Sequence, residues 1–66
     1  MNAYPNNIGA WEERDGIRTE VFHDGSWVVY TTGEPFRSIS SADGKRTTDI
    51  ESAKRAAAIA RTKLAA

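Results

Sequence analysis

The chain has no cysteine, one histidine, one methionine and two prolines among its 66 residues. Without cysteine it has neither disulfides nor thiolate chemistry, and the lone His23 completes a zinc site only if carboxylates supply the other ligands. Long hydrophobic runs are missing as well. The longest, Ala56 to Ala60, falls far short of the roughly 20 residues that cross a bilayer, so no membrane association is expected. Nine basic residues balance nine acidic ones, which argues against a purely electrostatic grip on nucleic acid. A glycine-rich phosphate loop, a nucleophile motif and metal-ligand spacing are all absent, so neither an enzyme nor a cofactor nor a metal site is expected. The segment Met1-Asn2-Ala3-Tyr4-Pro5-Asn6-Asn7 lacks a basic stretch leading into a hydrophobic one, and the expected location is intracellular, the cytoplasm of its own or a host cell.

What the chain does have is regular punctuation. Asp-Gly occurs three times, at Asp15-Gly16, Asp24-Gly25 and Asp43-Gly44, each time between segments that alternate polar and apolar residues. Asp-Gly suits the type I′ hairpin turn, in which both central residues take positive φ. With Gly33-Glu34-Pro35 as a further turn, the expected strands are Ala10 to Arg14, Ile17 to His23, Ser26 to Thr32 and Phe36 to Ser41. Residues 1–9, rich in Asn with Pro5 and Gly9, are expected to form a flexible N-terminal arm, with residues 10–66 as the single domain. Thr48-Asp49-Ile50-Glu51 fits a capping box, Thr48 and Glu51 each bonding the other's backbone N–H, and opens an Ala-rich helix running to about Ala65. The expected fold is therefore α+β: an antiparallel meander of three or four strands packed on one C-terminal helix.

Two-residue turns would set the register. Arg14 opposite Ile17 places Trp11 opposite Glu20 and Glu13 opposite Arg18, the latter an expected cross-strand ion pair. His23 opposite Ser26 places Phe22 opposite Trp27 and Glu20 opposite Val29. One face then carries Trp11, Phe22, Trp27 and Val29, and the other carries Ala10, Ile17, Val21, Val28 and Tyr30, with Glu12 and Thr19 among them. The helix stripe Ile50, Ala53, Ala56, Ala57, Ala60 and Leu64 is flat. It is expected to lie against the face with the two tryptophans.

The run Trp27-Val28-Val29-Tyr30 is apolar on both faces of an expected central strand, whereas one helix covers only one. Ile17, Val21, Val28 and Tyr30 are therefore candidates for partner contact, unless the N-terminal arm folds across them with Tyr4 and Ile8. Charge is also divided. Residues 1–34 hold two basic against six acidic side chains, a net of −4, and residues 35–66 hold seven against three, a net of +4. Arg37, Lys45 and Arg46 form a candidate charged rim beside the last strand, and Lys54, Arg55, Arg61 and Lys63 decorate the helix. His23, beside Asp24-Gly25, reads as a turn-flanking surface residue.

Three resemblances follow. The order Gly25-Ser26-Trp27-Val28-Val29, then Arg37-Ser38, then Thr48 with Ala53 and Ala57, resembles the sheet-plus-helix DNA-binding domain at the N-terminus of tyrosine recombinases, with its G-x-W-x-V strand, Arg/Lys-Ser strand and T-x-x-x-A helix start. It is similar also to short bacterial domains with the same punctuation. The recombinase resemblance implies binding through a polar, basic sheet face, whereas the corresponding face expected here holds Val21, Val28 and Tyr30 with Glu12. In size, split charge and lack of catalytic residues the chain resembles the small proteins with which phages block host defence, anti-CRISPR proteins among them, which implies inhibition by occupying a site on a larger protein. The expected function is thus a non-catalytic protein-binding module directed at a larger host protein or protein–nucleic acid complex. The alternative is a DNA-binding accessory protein using the sheet or the basic strand-to-helix loop. A third arrangement is a homodimer through the second sheet face.

Overall fold

Asp15 and Gly16 both take positive φ, 55° and 76°, the conformation that a two-residue type I′ turn demands. In the computed structural model of the chain, which describes residues 8–42, 47 and 49–66, this turn joins β1 (Ile8–Arg14) to β2 (Ile17–Phe22). β3 (Trp27–Thr31), β4 (Ser38–Ser40) and a single helix, α1 (Ile50–Ala65), complete the fold. The strands form one antiparallel meander in the order β1-β2-β3-β4, and α1 packs chiefly over β2, β3 and β4. The expected α+β architecture is the one observed. Ile8 and Gly9, expected in the arm, belong to β1, where a register shift between Ile8 and Ala10 inserts Gly9 as a bulge.

The pairing of β1 with β2 is as expected: Trp11 lies opposite Glu20, Glu13 opposite Arg18 and Arg14 opposite Ile17. The pairing of β2 with β3 is not. Val21, rather than Phe22, lies opposite Trp27, and Thr19 opposite Val29. The connection is a three-residue loop, His23-Asp24-Gly25, closed by Phe22 N–H donating to Ser26 O at 2.8 Å and Gly25 N–H donating to Phe22 O at 3.0 Å. Only Gly25 of the three is left-handed, with φ 89°. The Asp24 carboxylate accepts from the backbone N–H of Ser26 at 2.9 Å and from its hydroxyl at 2.5 Å, an Asx turn that keeps Asp24 out of the I′ geometry.

A one-residue slip turns a strand over, and this one corrects the assignment of faces. Ile17 and Val21, expected on the free face, are buried under α1 at 6% and 2% exposure, beside Trp27 and Val29. Trp11 and Phe22, expected in the core, lie on the outer face. Trp11 is 59% exposed and Phe22 is half-buried. The physical reason lies on β2: Phe22 shares its face with Arg18 and Glu20, so turning it inward would also bury an ion pair, at a desolvation cost that Ile17 and Val21 avoid. The helix stripe meets this core as expected, with Ala53, Ala57, Ala60 and Leu64 buried and Ile50 and Ala56 packed beside them.

The helix is fastened at both ends. Its N-cap is Asp49, in extended conformation, with its carboxylate accepting from Ser52 N–H at 2.8 Å. That bond holds the Asp49 carboxyl below its usual pKa. The expected cap, Thr48, lies outside the described residues, as does the Asp43-Gly44 turn. Thr47 donates its N–H and its hydroxyl to Gly25 O, at 3.3 and 2.9 Å, and so ties the helix entry to the β2–β3 loop. At the far end the Arg37 guanidinium donates to Leu64 O at 2.8 Å, satisfying a carbonyl of the last turn.

Gly25 is constrained twice, by its positive φ and by Thr47 O, which a Cβ would approach to 2.3 Å, whereas a Cβ at Gly16 meets nothing within 4 Å. Gly16→Ala is expected to cost about 1 kcal/mol, the ordinary penalty of left-handed alanine, and Gly25→Ala about 3 kcal/mol or more. Urea denaturation of the two variants checks this, and equal losses would show that Thr47 does not confine the loop.

Candidate functional site on the outer sheet face

Side chains that alternate away from α1 gather on the solvent side of the sheet: Trp11 and Glu13 from β1, Arg18, Glu20 and Phe22 from β2, Val28 and Tyr30 from β3. Glu20 is their centre. It is only 9% exposed, and a carboxylate so placed needs partners to offset its lost hydration. Its Oε2 accepts from Arg18 Nε at 2.5 Å and from the Tyr30 hydroxyl at 2.9 Å. Arg18 also reaches Glu13 at 3.6 Å, the expected cross-strand pair, and its guanidinium lies 4.4 Å from the centre of the Trp11 ring, a cation–π contact. On the other side the Tyr30 ring meets Phe36, with centroids 6.2 Å apart and planes tilted by 40°.

The result is a band across the sheet, Trp11–Arg18–Glu20–Tyr30–Phe36, polar and locked at its centre and aromatic at its ends. Trp11 and Phe36 are the exposed ends, at 59% and 66%. The hydrogen bond to Glu20 raises the Arg18 pKa further. Burial, and then the hydrogen bond to Glu20, push the Tyr30 phenol above its ordinary value. With Glu20 engaged by a guanidinium and a phenol, the side chains of the band are held in place. No group of three or more described His, Asp and Glu residues is placed to hold a metal ion, and no helix of the described chain is long and apolar enough to cross a membrane.

Of the candidate contact residues, Val28 and Tyr30 stand on this face, whereas Ile17 and Val21 are core and do not reach it. Arg37 is committed to Leu64 O, and Lys45 and Arg46 lie outside the described residues. The sequence reading missed Trp11, Arg18, Glu20 and Phe36. Its own pairing of Trp11 with Glu20 was the available signal, since residues directly opposite share a face. No protein-family model, curated protein or solved structure matches the chain.

A phenol whose pKa is raised by folding contributes stability that is complete below its unfolded pKa, near 10, and is lost as pH rises through the folded value. Tyr30→Phe should therefore lower stability at neutral pH by about 1.5–3 kcal/mol, the worth of a hydrogen bond to a charged group. Its difference from the native chain should shrink above about pH 10. Denaturant midpoints of both proteins from neutral to alkaline pH test this, and a constant difference would remove the Tyr30–Glu20 bond from the account.

Proposed function

We propose that the chain is a small non-catalytic protein-binding module that occupies a site on a larger protein through its outer sheet face. The observation carrying this reading is the band of Trp11, Arg18, Tyr30 and Phe36 on one face, with Arg18 and Tyr30 both held by Glu20. Trp, Tyr and Arg are the residue types that dominate binding energy at protein interfaces. Side chains fixed before contact lose less freedom on binding, which leaves more of the interaction as affinity. Phe22 and Val28, both half-buried, supply apolar surface between the anchors. The most specific form of the reading is an inhibitor of a host defence protein, supported by the chain's size and split charge.

The charges of the same face favour a protein over a nucleic acid. Glu13 and Glu20 outnumber Arg18, and several cations elsewhere are already engaged: Lys54 by Glu51 at 3.5 Å, Arg61 by Asp15 at 3.4 Å and Arg37 by Leu64 O at 2.8 Å. A phosphate-binding surface needs its cations free to displace counterions.

A tagged pull-down from host lysate, with and without nuclease, should recover one larger protein in both conditions. Trp11→Ala with Phe36→Ala should weaken that capture by about 30-fold or more, as expected for anchor residues, while changing fold stability by no more than about 1 kcal/mol. Capture unaffected by the double substitution would reject this face, and material that disappears with nuclease would favour the DNA-binding alternative.

A further inference from the structure

Four strands in one open sheet leave two edges, β1 and β4. β4 has three residues, Ser38–Ser40, and an edge that short offers little to pair with. β1 has seven, Ile8–Arg14, and α1 packs chiefly over the other three strands. Which peptide groups of β1 face outward follows from its turn. A two-residue I′ turn is closed by a hydrogen-bonded pair, here Arg14 and Ile17, and such pairs alternate along an antiparallel ladder. Glu12 and Ala10 therefore bond to Thr19 and Val21, whereas the backbone N–H and C=O groups of Trp11 and Glu13 point out of the sheet. Among the described residues no strand pairs with that edge.

A row of free backbone groups is a template for one more strand, and the side chains of β1 suit a second copy of β1 itself. Trp11 is the middle residue of Ile8–Arg14, so antiparallel pairing about a two-fold axis at Trp11 overlaps the strand along its whole length. Trp11 then meets Trp11 of the other copy, and Ala10 lies opposite Glu12. No like charges stand directly opposite in this register. Moving the axis to Glu12 or to Glu13 would set two carboxylates against each other, which cross-strand pairing penalises. On the groove side, Glu12 of one copy arrives beside Ala10 of the other, and Lys54 lines the same groove as Ala10, so the incoming carboxylate meets a wall that carries an ammonium. In front, Trp11 is 59% exposed, and aromatic residues directly opposite each other stabilise a strand pair.

We infer that β1 pairs antiparallel with β1 of a second copy, centred on Trp11, joining the two four-stranded sheets into one across a symmetric dimer. Trp11 belongs also to the band proposed to meet a larger protein. The strand pairing is read on the purified chain alone, so it holds or fails separately from that capture.

Sedimentation equilibrium of the purified chain, from micromolar to millimolar concentration, is expected to show monomer passing to dimer. Since the chain has no cysteine, single cysteines report the register. Directly opposite, hydrogen-bonded residues stand about 5.5 Å apart at Cα, within disulfide reach, so Trp11→Cys should cross-link to its own copy under mild oxidation at least about tenfold faster than Ser38→Cys on the other edge. Glu13→Pro removes an outward N–H without touching the β1–β2 ladder and should weaken the dimer at least about tenfold, with a native circular dichroism spectrum as the check on its fold. A chain that stays monomeric at millimolar concentration overturns the dimer, as does Trp11→Cys that cross-links no faster than Ser38→Cys. Undiminished association of the folded proline variant overturns it too, by assigning the contact to a face of the sheet rather than its edge.

Discussion

Gly25 sits where three demands meet. The β2–β3 loop needs a left-handed residue at this point, its carbonyl accepts both donors of Thr47, and the space where a Cβ would stand is occupied by the Thr47 carbonyl. The first demand sets the register of β3 against β2, and the other two connect that register to the start of α1. Since side chains alternate along a strand, this loop decides that Trp27 and Val29 join Ile17 and Val21 beneath the helix. It also leaves Val28 and Tyr30 beside Arg18 and Glu20 in front of the sheet.

The two faces then solve different problems. Beneath the helix, alanines at the contact let α1 lie close to the sheet, and the buried groups there are mainly aliphatic with one indole. In front, no second layer among the described residues covers the sheet, and Glu20 is desolvated by its own neighbours. Its carboxylate is tolerable because a guanidinium and a phenol both bond to it. The ion pair thereby becomes a device for orienting aromatic rings: Arg18 lies over Trp11, and Tyr30 meets Phe36. Most domains of this size cannot bury enough surface to be very stable, so an outer face stiffened by side-chain bonds adds to stability.

The position of α1 over β2, β3 and β4 divides the inner side as well. The centre of the sheet is closed, whereas the inner face of β1 opens into a groove walled in part by Ala10, Val21 and Ala58. The domain therefore presents two unlike surfaces, a band with aromatic ends in front of the sheet and a groove beside α1 behind it. They share β1 and β2, and Trp11 of the band also lines the groove.

Much of the fold was legible in the sequence because its determinants are local. Asp15-Gly16 specified a I′ turn and with it the β1–β2 pairing from Arg14 back to Ala10, the Ala-rich periodicity specified the helix and its buried stripe, and Glu13 opposite Arg18 followed from register alone. Which side chains share a face was not legible to the same degree, because the same Asp-Gly dipeptide at Asp24-Gly25 serves a three-residue loop when the next residue, Ser26, can donate twice to the aspartate. That difference of one residue exchanged Ile17 and Val21 for Trp11 and Phe22 at the surface. Arg37, read as a free charge, acquired its role only when folding brought it to Leu64 O, 27 residues away in sequence. Local composition thus determined which elements form. The contest between burying Arg18 with Glu20 and burying Ile17 with Val21, decided only when sheet and helix meet, determined which side of the sheet each element shows to the outside.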